Sequence, residues 1–318
     1  MRTLLLACAT LVMTGLASAQ TYPTKPIRFI VPYAPGGSSD IIARLYGQRL
    51  SETMGQTFVV DNRPGAGGTI GTHLLARAPA DGYTLILQDM PHTINPAVYG
   101  KVPYDPVKDF TPVTLVARAP QWLFVHPAVA AKTVRDLIAL AKSQPGNFKI
   151  GSAGNGSGTH LMAELFMRGG KVTLTHVPYK GAGPAVAATV GGETNAVFTS
   201  MPAAVSFVQS GRLRPIGVTT PQRHPSHPEV PTFEESGVPN MMLHHWFGVL
   251  APAGLPQAIH ARLTREFTAA VSHASVVERY KALILEPATL TPEAFRKLIE
   301  TDLARWGKVV REAGIKVQ

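Results

Sequence analysis

The run Ile27-Arg28-Phe29-Ile30-Val31, followed by Pro32-Tyr33-Ala34-Pro35-Gly36-Gly37-Ser38-Ser39-Asp40, decides how this chain reads. Five residues of strand length lead into a glycine turn. The turn leads into a helical pattern in which Ile41, Ile42, Leu45, Tyr46, Leu50 and Met54 recur at spacings of three and four. Glycines at such a junction bare the first turn of the helix, so its unpaired N–H groups and the positive end of its dipole are open to an anion. A second stretch, Gly151-Ser152-Ala153-Gly154-Asn155-Gly156-Ser157-Gly158-Thr159, has the same strand before it and helix after it. No catalytic cluster lies between the two turns, which points to binding rather than chemistry.

Glycine at a strand–helix junction also has a purely conformational use, a tight turn with positive φ. The second turn, with its interspersed Asn155, Ser157 and Thr159, is richer than a simple turn requires. Tyr179-Lys180-Gly181-Ala182-Gly183, after a strand-like run at 173–177, adds a third glycine-bearing loop. In parallel α/β sheets the loops at the carboxyl ends of strands share one edge, and ligands bind there. All three loops qualify.

Outward from these turns, strand-like runs alternate with amphipathic helices, which argues for α/β layers and mainly parallel sheets. Runs at 58–60, 84–87 and 113–116 precede Trp122–Val125, with Arg118-Ala119-Pro120 as a break and a first crossing between domains. Residues 221–239 contain five prolines and read as an irregular surface segment, after which 246–250 resumes an apolar strand as the return crossing. The tail is helical: Ile259, Leu263, Phe267 and Val271 form one face, and Thr291-Pro292-Glu293 caps a last helix burying Phe295, Leu298, Ile299, Leu303, Trp306 and Val310. The expected organisation is a signal segment at 1–19, one lobe from 20–120 and 246–318, and a second from 121–245. Two crossings between lobes permit hinge closure around a cleft.

The amino end supports export. Arg2, a short apolar run at 4–16 and Ala17-Ser18-Ala19 have the form of a cleavable secretory signal, too short to span a bilayer. Cys8 is the sole cysteine and falls within it, so cleavage after Ala19 leaves no disulfide, thiolate metal site or cysteine nucleophile. The expectation is a periplasmic protein of a Gram-negative bacterium. The charge of +10 suits anionic partners, but Lys and Arg are scattered and aromatics are only 7% of residues, so a nucleic-acid face is not supported.

Rival chemistries fit less well. Gly154-Asn155-Gly156-Ser157-Gly158-Thr159 misplaces the third glycine of a dinucleotide loop and no Walker lysine follows, so no cofactor is expected. No G-x-S-x-G elbow surrounds Ser38 or Ser157, which leaves an exported hydrolase as the third choice and no catalytic residue to name. His224 and His227 lie in the proline-rich segment, and His244 and His245 point to opposite sides of any strand, so no metal site is expected. Asp40 favours its own helix dipole. Lys180 reads equally as a ligand counter-charge or a solvated loop lysine.

The motifs Val31-Pro32-Tyr33-Ala34-Pro35-Gly36-Gly37-Ser38-Ser39-Asp40, Asp61-Asn62-Arg63-Pro64-Gly65-Ala66-Gly67-Gly68, Asp81-Gly82-Tyr83-Thr84-Leu85 and Pro103-Tyr104-Asp105-Pro106 resemble the Bug family of periplasmic solute receptors. So do Val177-Pro178-Tyr179-Lys180-Gly181, Pro231-Thr232-Phe233-Glu234-Glu235-Ser236-Gly237 and Trp246-Phe247-Gly248-Val249-Leu250-Ala251-Pro252, in order, from Tyr22 to the last helix. The resemblance implies a two-lobed, type II Venus-flytrap fold, not an enzyme, that closes on a small mono-, di- or tricarboxylate and passes it to permease subunits of a tripartite tricarboxylate transporter. A sensory role, with the closed receptor presented to a sensor ectodomain, is the alternative, and a monomer is expected.

Carried over by motif, the resemblance puts Tyr33, Ala34, Gly36, Gly37 and Ser38 in the site from one lobe. Asn155, Ser157, Thr159, His160, Tyr179, Lys180 and Gly181 come from the other. Met90, Pro91, His92 and Thr93 would shape the far end, with His92 and Lys180 placed to balance a second carboxylate. Relatives commonly follow the strand here written Val197-Phe198 with an aspartate, where this chain has Thr199-Ser200. If that aspartate meets a ligand ammonium, Thr199 would disfavour amino acids.

Overall fold

The computed structural model describes residues 22–312 and 314, so the expected signal segment lies outside the described residues. In chain order the elements are β1 (Ile27–Val31), α1 (Ser38–Met54), β2 (Phe58–Asn62), α2 (Thr69–Ala76), β3 (Thr84–Asp89), α3 (Pro91–Tyr99) and β4 (Phe110–Pro120). Then come β5 (Trp122–Val125), α4 (Val134–Ser143), β6 (Lys149–Ser152), α5 (Gly158–Gly170), β7 (Thr175–Pro178), α6 (Ala182–Val190), β8 (Ala196–Thr199), α7 (Val205–Gln209) and β9 (Arg214–Val218). The chain ends with β10 (His244–Pro252), α8 (Gln257–Val271), α9 (Ala274–Leu283), β11 (Glu286–Pro287) and α10 (Pro292–Glu312).

The strands form two sheets, β11-β4-β10-β3-β1-β2 and β7-β6-β8-β5-β9. With the edge strand β11 set aside, the two share one plan. In each, two strands flank a first strand in parallel, and the next place is taken by a strand arriving from the other half of the fold. That visitor is β10 in the first sheet and β5 in the second. Both visitors run antiparallel to each of their neighbours, while β1–β2, β1–β3, β6–β7 and β6–β8 are parallel. The sheets are therefore mixed rather than mainly parallel. The reason is topological: a strand entering from the other lobe comes in at the edge where the parallel strands end, so it must run against them.

The expected break at Arg118-Ala119-Pro120 is also corrected. β4 continues through Pro120, paired with β10 from His244↔Pro120 to Pro252↔Phe110. The crossing occurs at Gln121, and Thr219 ties the two crossings together. Gln121 N–H donates to Thr219 Oγ1 at 2.9 Å, Thr219 N–H donates to the Gln121 carbonyl at 3.0 Å, and the Thr219 hydroxyl donates to the Leu243 carbonyl at 2.8 Å.

Apolar faces hold each lobe together by burial. On one side of the first sheet α1 and α8 pack through Ile42, Tyr46, Leu50, Leu263 and Phe267, with Tyr46 stacked on Phe267 at 5.9 Å. The last helix covers the opposite side with Phe295, Ile299, Trp306 and Val310, while Leu298 and Leu303 are only partly buried. That second core runs without interruption through Trp246 and Leu243 into Phe166, Phe198 and Phe233 of the other lobe.

Candidate functional site

The first glycine turn is held from below. Gly36 takes φ +83°, and its N–H donates to Asp40 Oδ2 at 3.0 Å, while Asn62 Nδ2 donates to Asp40 Oδ1 at 3.0 Å and Arg44 pairs with the same carboxylate at 3.0 Å. Burial works to raise the Asp40 pKa, but the hydrogen bonds from Arg44, Gly36 and Asn62 outweigh it and hold the carboxyl below its ordinary value. Asp40 thus serves the turn. With the turn locked, Gly37 stands at the N-cap of α1 and has no side chain to cap with. The amides of Gly37, Ser38 and Ser39 therefore have no partner inside the helix, and these three residues line a cavity between the lobes.

The second glycine turn reaches the same cavity from the opposite side. Ser157 caps α5 by accepting His160 N–H at 3.2 Å, and Thr159 Oγ1 accepts Ala153 N–H at 2.8 Å, which fixes the loop. Ser157, Gly158 and Thr159 line the cavity, with Ala182 at the start of α6 and Thr199 and Ser200 at the end of β8. Two helix N-termini from two lobes thus converge on one volume of about 410 Å³, counted with its mouth.

The remaining wall belongs to the first sheet and the crossings: Asp89, Pro91, Gln121, His245 and Phe247. Asp89 ends β3 and is buried. It accepts from the Tyr33 hydroxyl at 2.9 Å, the Ser39 hydroxyl at 3.3 Å and His245 Nε2 at 3.2 Å. Among the described residues no lysine or arginine lines the cavity, so the helix ends supply positive potential there.

Among the expected site residues, Tyr33, Gly37, Ser38, Pro91, Ser157, Thr159 and Thr199 come together on the cavity wall. The others lie elsewhere. Gly36 shapes the turn. Ala34 N–H donates to the Lys180 carbonyl at 3.0 Å, so this part of the third loop serves lobe contact, and the Lys180 side chain is exposed. Gly181 sits against Ala34, and Tyr179 N–H donates to the Ser152 carbonyl at 3.0 Å. The Asn155 carbonyl accepts from the Tyr99 hydroxyl of the other lobe at 2.7 Å. His160 stacks on His176 with centroids 4.2 Å apart, and Met90 is buried behind Gly158.

His92 turns away from the cavity, against the expectation that it faces a second carboxylate. Its Nε2 is 2.8 Å from the Pro106 carbonyl, its Nδ1 is 3.4 Å from Gln88 Nε2, and its ring packs against Tyr104 and Phe110. Burial pushes its pKa down to about 4, partly offset by the bond to Pro106 and by Asp89. It is a neutral core imidazole.

Asp89, Gln121 and His245 line the cavity although no motif marks them, and Phe247 and Ser200 line it although the motifs that contain or adjoin them give them no site role. The signal for Asp89 was its place at the end of a strand, hidden because β3 runs two residues beyond the apolar run at 84–87. His245 follows from alternation: on β10 it is buried and His244 is exposed. His224 and His227 pack edge-on against Trp122 at 5.6 and 5.5 Å. Among the described residues no group of three or more His, Cys, Asp or Glu could hold a metal ion.

The family described as "Tripartite tricarboxylate transporter family receptor" matches residues 42–315. Protein BugT of Bordetella pertussis is 38% identical over 312 residues, covering 98% of this chain and 96% of that protein. The structure of the periplasmic binding protein BugD superposes with TM-score 0.89 at 30% identity, over 93% of this chain and all (100%) of that one. Rhodopseudomonas palustris Rpa4515 with adipate gives TM-score 0.89 at 37% identity over 93% and 100% of the two chains. MatC from the same organism with bound malate gives 0.86 at 31% over 91% and 100%.

Proposed function

Because the chain belongs to the Bug family of tripartite tricarboxylate transporter receptors, we propose that it captures a small carboxylated metabolite between its lobes in the periplasm and delivers it to a membrane permease. The relatives are named as receptors and binding proteins, and this chain is likewise a binding protein rather than an enzyme. The ligands in the two Rhodopseudomonas structures, adipate and malate, support a carboxylate as cargo. We assign residues 20–120 and 246–318 to one lobe and 121–245 to the other, a division that the membership of the two sheets supports except that β10 enters the first sheet two residues earlier, at His244.

The observation that carries this reading is the meeting of two helix N-termini, that of α1 without a side-chain cap and that of α5 capped by Ser157, on one cavity that no described lysine or arginine lines. A carboxylate placed there accepts from the amides of Gly37 to Ser39 on one lobe and of Gly158 and Thr159 on the other. Hydrogen bonds to a charged group contribute about 1.5–3 kcal/mol each, and the buried, water-poor setting strengthens them. Capture on the first lobe followed by closure of the second stabilises the closed state by the ligand's differential affinity.

The test is a calorimetric and thermal-shift screen of short carboxylates. A true ligand at a hundred times its Kd adds about 2.7 kcal/mol of stability. Gly158→Val covers the α5 amides with a branched side chain at a helical position. Its Cβ would lie 3.3–3.4 Å from the buried His245 and Met90, so the variant should weaken binding more than tenfold and melt several degrees below wild type, with circular dichroism establishing that it is folded. A screen without any carboxylate ligand, or full affinity in Gly158→Val, would reject the clamp. Uptake of the bound solute by vesicles carrying a cognate permease tests delivery.

A further inference from the structure

Beside Asp89 the cavity wall carries buried side-chain acceptors without a donor. Asp89 has about four lone-pair sites, and three are filled by the Tyr33 hydroxyl, the Ser39 hydroxyl and His245 Nε2. A carboxylate only accepts, so the shared proton is carried by His245 Nε2. With the ring neutral, His245 Nδ1 is a lone-pair acceptor, and it is buried with no partner. The ring edge bearing Nδ1 faces Gly158, at the head of α5 on the opposite lobe: a Cβ there would lie 3.3 Å from His245 Cε1 and 3.4 Å from Nδ1. Gln121 Oε1, as oriented, is likewise buried without a donor, and Gln121 lines the same cavity.

Unsatisfied buried acceptors cost free energy that a bound donor recovers. A second ligand carboxylate would bring more acceptors and a like charge beside Asp89, with no described lysine or arginine on the cavity wall to offset it. A protonated amine brings three N–H donors and the opposite charge. Resting on the carboxylate-receptor reading, we propose that Asp89, His245 and Gln121 form an ammonium subsite, so that the cargo is an amino carboxylate rather than a plain mono- or dicarboxylate. Asp89 then supplies, from the other lobe, the negative charge that Thr199 does not, and reverses the preference that Thr199 alone would suggest.

The experiment is isothermal titration of the full receptor with matched sets: succinate against aspartate, glutarate against glutamate, and butyrate against 4-aminobutyrate. In wild type at least one amino member should bind tenfold or more tighter than its amine-free partner. Asp89→Asn should abolish that preference, and His245→Gln, whose amide can still donate to Asp89, should lessen it; circular dichroism melts establish that both variants are folded. Equal or better binding of every amine-free partner overturns the subsite while leaving the carboxylate receptor standing. So does a preference unchanged in both folded variants. If no carboxylate of either kind binds, the receptor reading falls and the subsite with it. If Asp89→Asn does not fold, His245→Gln and wild type alone decide by the same criterion.

Discussion

His92 is neutral because burial disfavours its charged form; its Nε2–H is donated to the Pro106 carbonyl and Gln88 Nε2 donates to Nδ1. With a folded pKa of about 4 against an ordinary 6.5, the unfolded chain takes up the proton first as pH falls. Stability is intact above pH ~6.5 and declines toward pH 4, by ~3 kcal/mol for His92 alone. His176 adds in the same direction: burial, with His160 contributing, pushes its pKa to about 4 as well. Urea midpoints at pH 7.5 and 5.0 should therefore differ in wild type and differ less in His92→Gln, with His176 keeping a residual slope. An unchanged slope in the variant would mean that His92 does not take up a proton on unfolding. The sequence places a histidine just past a strand end, but its direction depends on Tyr104 and Phe110, whose packing is non-local. Asp89 is illegible for the same reason, and alternation separates His245 from His244 without saying that it meets Asp89. Each is an unremarkable residue until β3 and β10 pair and bring them together.

At the scale of elements, local pattern served where the partner of an element is local. β1, α1 and the apolar faces of α8 and α10 read directly from spacing, and so did both glycine turns. β11 has two residues and is a strand only because β4 offers it an edge. The direction of β5 and β10 depends on which lobe they come from, which no periodicity carries. The third glycine loop divides its work: Ala182 lines the cavity, while Lys180, Gly181 and Gly183 make contacts between the lobes. A Cβ at Gly183 would overlap the Pro35 carbonyl and lie 2.9 Å from Gly36 C and 3.0 Å from Gly37 N. Gly183 is therefore where α6 meets the first turn when the lobes are together. Gly183→Ala should favour helix α6 by about 1 kcal/mol while obstructing closure. The expected result is a melting temperature equal to or above wild type, with ligand affinity at least tenfold lower and a larger radius of gyration with ligand by small-angle scattering. Wild-type affinity in this variant would show that the lobes close without that contact.

For the whole molecule, the balance between separated and closed lobes rests on few polar contacts. Ala34 N–H donates to the Lys180 carbonyl at 3.0 Å, the Ser200 hydroxyl to Ser38 Oγ at 2.7 Å, and the Tyr99 hydroxyl to the Asn155 carbonyl at 2.7 Å. At roughly 0.5–1.5 kcal/mol net apiece, such bonds hold the closed form only loosely. Thr219, by contrast, ties the two crossings to each other, and the shared apolar core spans both lobes. A ligand can then govern closure through the extra bonds it makes to the second lobe. Tyr99→Phe tests this, because burial raises the Tyr99 pKa to about 12 and its hydroxyl is a donor at any physiological pH. The substitution removes one bond that exists only between closed lobes. Affinity should fall about two- to tenfold. Stopped-flow traces should assign that loss to faster dissociation, since encounter takes place on the open form and precedes the contact. The ligand-free protein should melt almost as wild type, because neither lobe core contains the lost bond. If association slows instead, the Tyr99–Asn155 contact forms before capture, and closure would be a pre-existing state that ligand selects rather than one that it completes.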